Sequence, residues 1–200
     1  ANVTYYFRIT AIDHGLNESP LSSEVSAVPQ PTSLQGDSLA LVALYNSAVG
    51  PGWANDSNWL TGPVDTWFGV TISSGRITRL DLNSNQLSGT IPVELGNLSY
   101  LDTLNLANNQ LSGIIPSELG NLTNLLFLKL ETNQLTGTIP PGLGNLSNLK
   151  LITLSSNQLT GGIPVQLGNL TGLEQLWLWG NQLSGSIPGE IGNLINLQQL

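Results

Sequence analysis

The chain has 200 residues, 40% hydrophobic and only 9% charged, so it can bury a core but must keep its surface wet mainly with Asn, Ser, Thr and Gly. Thirteen acidic against five basic side chains give a net charge of −8, which repels phosphate backbones and excludes nucleic acid as an expected partner. Cysteine is absent, which excludes disulfides, iron–sulfur centres and Cys-ligated zinc, and no apolar run reaches the roughly 18 residues of a membrane span.

From the N-terminus, Val3, Tyr5, Phe7, Ile9 and Ala11 alternate with polar residues, which predicts a half-buried strand. Residues 13–20 read as a loop, and 22–28 as a second strand ended by Pro29 and Pro31. The only histidine, His14, sits in that loop beside Asp13 and reads as a solvated side chain. The strings TYYFRITAID and NESPLSSEVSAVP resemble the last two strands of a fibronectin type III sandwich, with Tyr5 at the family's corner tyrosine. The resemblance covers residues 1–28 and implies a spacer domain; a hairpin packed on the next segment is the alternative. The chain opens on Ala1 and stops at Leu200, four residues into a further repeat, so a segment of a longer polypeptide is expected.

Residues 29–36 read as a linker, and residues 37–76 as a cap. Asp37 is placed to cap a helix beginning near Ser38, in which Leu41, Leu44, Tyr45 and Ala48 recur at helical spacing until Gly50 and Pro51 end it. Trp53, Trp59 and Trp67 follow on turn-rich sequence and read as a seal over the end of a core, with a ligand-stacking platform as the alternative. The strings WANDSNWL, TWFGVT and GRITRLDL resemble the N-terminal cap of plant-type leucine-rich repeat ectodomains. Where those caps carry paired cysteines, this chain has Asp65 and Ile72, which points toward a bacterial surface protein.

Residues 77–196 form five 24-residue blocks close to L-x-x-L-x-L-x-x-N-Q-L-[ST]-G-x-I-P-x-x-[LI]-G-N-L-x-x, and residues 197–200 begin a sixth. A fixed period of this size predicts stacked units, none of which can bury its apolar face alone. The pattern resembles plant-type leucine-rich repeats, implying an α/β-type solenoid, a right-handed superhelix with a parallel concave sheet and an N-terminal helical cap. Leu101, Leu104 and Leu106 and their equivalents point inward from short strands. Asn85, Asn109, Asn133, Asn157 and Asn181 are assigned a structural role, an amide that donates to and accepts from backbone groups at the sharp bend after each strand. The glycines Gly89 to Gly185 permit tight turns, and the Ile-Pro pairs confine the convex side to extended backbone and a single helical turn. Asn97, Asn121, Asn145 and Asn169 begin N-x-[ST] sequons that fall out of the repeat consensus itself.

The residues between the leucines face the concave side in three rows. The first holds Arg79, Thr103, Phe127, Leu151 and Gln175; the second Asp81, Asn105, Lys129, Thr153 and Trp177; the third Asn83, Ala107, Glu131, Ser155 and Trp179. Apolar side chains gather toward the C-terminal end, so Phe127, Lys129, Glu131, Leu151, Thr153, Gln175, Trp177 and Trp179 are the candidate ligand-binding residues, with local packing of the aromatics, on their own strand or on structure past Leu200, as the alternative. No nucleophile and base, paired carboxylates or phosphate-cradling loop can be assembled, so no enzymatic activity, cofactor or metal is expected. The reading is a noncatalytic adhesion module, extracellular or at the cell surface, whose concave sheet binds a protein, peptide or glycan. The alternatives are a kinase-type receptor ectodomain and an accessory module of a secreted hydrolase.

Overall fold

The structure is a computed structural model that describes residues 34–200; the two strands expected over residues 3–11 and 22–28, and His14, lie outside the described residues. The first element, α1, spans Leu34–Ser47 and buries Ala40, Leu41 and Leu44, with Ala48 just past its end. It stops where Val49 takes left-handed backbone and Gly50–Gly52 form a short 3-10 turn. The helix thus begins inside the stretch read as a linker, and Asp37 is not its N-cap. Asp37 lies in the first turn with 1% of its surface exposed, and its carboxylate accepts from Arg76 Nε at 2.8 Å, Arg76 Nη2 at 2.7 Å and Ile77 N at 3.0 Å. A guanidinium is a stronger partner than helix-start amides, and it draws the carboxylate inward onto the first repeat.

The cap tryptophans are buried in a cluster rather than presented as a platform. Tyr45 stacks on Trp59 with ring centroids 5.8 Å apart, Trp53 meets Trp59 edge-on at 4.8 Å, and Trp67 lies 4.9 Å from Trp59. Each indole N–H finds a backbone carbonyl: Trp53 donates to Ala48, Trp59 to Phe68 and Trp67 to Gly62. That burial overturns the ligand-stacking alternative.

Past the tryptophan cluster, β1 (Val70–Ser73) turns through Ser74 and Gly75, both at positive φ, into antiparallel β2 (Arg76–Asp81). The main sheet then grows through β4 (Thr103–Asn105), β6 (Phe127–Lys129), β8 (Leu151–Thr153) and β10 (Gln175–Trp177), each parallel to the one before. Register advances by one repeat per strand, so Arg79, Thr103, Phe127, Leu151 and Gln175 are direct neighbours. The architecture is a leucine-rich repeat solenoid.

A second set of strands follows the asparagines: β3 (Ser88–Thr90), β5 (Gln110–Ile114) and β7 (Gln134–Thr136), then β9 (Thr160–Gly161) paired with β11 (Gln182–Leu183). A bridge between Thr138 and Thr160 joins the two groups into one ribbon. The segments read as glycine turns thus pair across repeats, and the Ile-Pro pairs follow them. The convex side carries one 3-10 turn per repeat, such as Ser117–Asn121 and Pro141–Asn145. These turns stack so closely that a Cβ at Gly144 would lie 2.3 Å from the Gln166 carbonyl oxygen.

Leucine side chains from all five repeats, fully buried at Leu104, Leu128 and Leu154 among others, form one continuous core. Beside it runs a ladder of asparagines. Asn109 Oδ1 accepts from Asn85 N and Leu87 N at 3.0 Å each, and its Nδ2 donates to Leu82, Leu106 and Ala107 carbonyls at 2.9 Å. Further along, Asn133, Asn157 and Asn181 accept from Leu111, Leu135 and Leu159 N and donate to the Leu106, Leu130 and Leu154 carbonyls, and Asn85 ties the first repeat to Asn55 in the cap.

Candidate functional site

Strand register aligns the first two rows on the concave sheet, about 4.8 Å apart from strand to strand, and the third row lies two residues past the strand ends. Their exposure is uneven. Phe127 is 37% exposed and Trp179 64%, whereas Leu151, Gln175, Lys129, Glu131 and Trp177 are partly covered. Thr153 is buried, with 2% of its surface exposed, and so are Thr103, Ala107 and Ser155. The expectation that every row residue projects into solvent fails at these four because each is small and flanked in its row by larger side chains: Thr153 stands between Lys129 and Trp177, Ser155 between Glu131 and Trp179.

Polar groups on this face are partly engaged with one another. The Thr153 hydroxyl donates to Glu131 Oε2, which explains why Thr153 is a support for its neighbour and not a contact residue. Trp177 Nε1 donates to Gln199 Oε1 at 3.2 Å, which fixes the indole against the following strand segment. At the other end, Arg79 pairs with Asp81 at 2.5 Å, and Asn105 donates to the same carboxylate at 2.9 Å. Both members of that ion pair are solvated, so it adds little to stability. The face therefore divides into a polar, self-paired N-terminal half and a C-terminal half where Phe127, Leu151, Trp177 and Trp179 gather around Lys129 and Glu131.

A second surface was not anticipated from the sequence. Residues 83–92, 107–116, 131–140, 155–164 and 179–188 contain a single charged residue, Glu131, and that one belongs to the concave side. The flank ribbon built from β3 to β11 is thus uncharged. Its outward positions form three repeating rows, each running oblique to the strands because the register shifts by two residues per repeat: Gln86, Gln110, Gln134, Gln158 and Gln182; then Ser88, Ser112, Thr136, Thr160 and Ser184; then Thr90, Ile114, Thr138, Gly162 and Ser186. On the opposite edge, the sequon residues Asn97, Asn121, Asn145 and Asn169 close the 3-10 turns and are exposed. No group of three or more His, Cys, Asp or Glu able to hold a metal occurs among the described residues.

These features define a solenoid with a concave sheet built from short parallel strands. The family model for a leucine-rich repeat region matches residues 77–200, and the chain belongs to the leucine-rich repeat family. It superposes on a plant ice-binding protein with a TM-score of 0.73 and 31% identity over 82% of this chain, spanning 57% of that protein's length. The leucine-rich repeat ectodomain of the receptor kinase SOBIR1 from Arabidopsis thaliana aligns over 82% of this chain and 90% of that one, with 32% identity and a TM-score of 0.67. The BIR3–SERK2 complex from the same plant aligns over 82% and 92%, with 36% identity and a TM-score of 0.69. The chain is therefore an ectodomain-like module of the plant-receptor type. Among the described residues no helix is long and apolar enough to cross a membrane.

Proposed function

We propose that this chain is a noncatalytic recognition module outside the cell, which takes a protein or peptide segment on the C-terminal half of its concave sheet. The observation that carries the reading is the aromatic and aliphatic patch of Phe127, Leu151, Trp177 and Trp179, in which Trp179 remains 64% exposed on a protein whose other cap and repeat tryptophans are buried or held. Lys129 and Glu131 supply opposite charges at its edge, and Gln175 an amide. Support comes from the BIR3–SERK2 complex, in which a similar module meets a protein partner. The SOBIR1 likeness favours a receptor ectodomain, whereas Asp65 and Ile72 in place of the cap cysteines favour a bacterial surface protein with a fibronectin-like spacer over residues 1–28.

The test is panning of a random-peptide display library on the wild-type chain, followed by binding of the enriched peptides to a Trp177→Ala, Trp179→Ala double variant. Enriched peptides should lose most of their affinity for the variant. Equal binding to both proteins would remove this patch from the proposal.

A second reading is favoured by the uncharged flank ribbon together with the likeness to a plant ice-binding protein: adsorption to ice. It uses a different face and can hold alongside the first.

A further inference from the structure

Resting on the reading of ice adsorption, we infer that the flank ribbon is the adsorbing surface, and that the row from Ser88 to Ser184 and the row from Thr90 to Ser186 are the side chains that meet the ordered water lattice. Three properties of the ribbon support this assignment; the concave face shares its strand spacing but not its uniform small side chains or its lack of charge.

The first is two-dimensional regularity. Equivalent outward residues recur in every repeat, and neighbouring strands lie ~4.8 Å apart. Pairing is offset by two residues per repeat, with Ser88 and Thr90 opposite Gln110 and Ser112, and Ser112 and Ile114 opposite Gln134 and Thr136, so equivalent side chains recur along an oblique line from strand to strand. The concave rows, by contrast, mix Phe, Lys, Glu, Thr and Trp.

The second is preorganisation. Gly137 has a positive φ of 75°, and a Cβ there would lie 2.9 Å from Ile114 Cγ2. The same relation holds between Gly161 and Thr138 Cγ2 at 2.9 Å, and between Gly113 and Thr90 Cγ2 at 3.1 Å. Thr90, Ile114 and Thr138 therefore each rest a γ-methyl over the glycine of the next repeat, which limits their rotamers before any ligand arrives. In the inner row, Ser112 donates to the Gly89 carbonyl at 3.0 Å and Thr160 to the Gly137 carbonyl at 3.3 Å. Those hydroxyls keep outward lone pairs, while the Thr90, Thr136 and Thr138 hydroxyls have no protein partner among the described residues.

The third is chemical matching to a neutral lattice. A hydroxyl both donates and accepts, so it can stand in for a lattice water, and an adjacent methyl requires no hydration of its own. An ionised side chain holds its own hydration shell, and the ribbon carries none. It also carries no aromatic ring, the group by which a flat protein face would stack on sugar rings.

The outer row is interrupted at Ile114 and Gly162, and both positions can be completed. Ile114 is exposed, and Gly162 lies outside the left-handed region, where an added Cβ would stand 3.7 Å from the Ser184 carbonyl oxygen, an ordinary contact.

The experiment grows polycrystalline ice slowly from a dilute solution of the 200-residue chain and measures the protein taken into the ice against that left in the liquid. Wild type should be enriched in the ice. A Thr90→Lys, Thr138→Lys variant should be excluded while keeping the wild-type melting curve, the Trp177→Ala, Trp179→Ala variant should partition as wild type, and Ile114→Thr with Gly162→Thr should raise the fraction taken up. If wild type is enriched but the lysine variant follows it, or only the concave variant is lost, the assignment to the flank falls and ice adsorption stands. If wild type is excluded from ice, both fall; sedimentation with crystalline cellulose in that case, lost in the lysine variant, would assign the ribbon to a polysaccharide instead. Should the lysine variant unfold, the gain expected from the threonine variant decides, and no gain overturns the assignment.

Discussion

Replacing Asp37 by Ala should detach the cap from the first repeat. The substitution removes three hydrogen bonds of 2.7–3.0 Å to Arg76 and Ile77 and leaves a guanidinium that is 6% exposed without its counter-charge. Ser99 Oγ at 3.3 Å and the Tyr100 ring at 4.2 Å remain beside Arg76, but neither carries a compensating charge. Breaking a buried pair in this way costs about 3–5 kcal/mol. With a urea m-value of about 2 kcal/mol/M, the midpoint of the cap transition should fall by roughly 1.5–2.5 M. Fluorescence in a Trp177→Phe, Trp179→Phe background isolates the signal of Trp53, Trp59 and Trp67, all in the cap. Arg76→Ala should cost a similar amount, and the double variant little more than either alone, because the second truncation removes a group whose opposite charge is already gone. A loss below about 1 kcal/mol for Asp37→Ala, or strict additivity in the double variant, would refute the reasoning.

Two further perturbations test the stacking of the repeats. Asn109→Ala leaves the Asn85 and Leu87 amides and the Leu82 and Leu106 carbonyls without their side-chain partner, so urea unfolding should show a loss of at least about 1–3 kcal/mol. Gly144→Ala would set a methyl 2.3 Å from the Gln166 carbonyl oxygen, and backbone must shift to admit it. A destabilisation of about 1–3 kcal/mol is expected in thermal unfolding, whereas Gly52→Ala, whose added Cβ would meet nothing closer than Val49 Cγ1 at 3.9 Å, should be near neutral.

The repeat geometry was legible because the 24-residue spacing assigns the same environment to every equivalent position, and Leu104, Leu128, Ile152 and Leu176 do share one buried row. The cap ion pair was not, since Asp37 and Arg76 stand 39 residues apart and local pattern reading credits an acid at a helix start with capping. The flank strands escaped for a different reason: two- and three-residue strands such as Thr160–Gly161 are too short for alternation and contain the glycine that normally signals a turn. At the candidate face, alternation places Trp177 and Trp179 on one side, but it carries no information on relative size. Only the register shows that Thr153 and Ser155 sink between larger neighbours.

The most direct measurement of the recognition claim is a hydrogen-exchange footprint of the chain with a peptide selected on it. Protection should fall on Phe127–Lys129, Leu151–Thr153 and Gln175–Trp177, the strands beneath the aromatic patch. Protection confined to the flank strands or the 3-10 turns, with those three strands unchanged, would contradict the account.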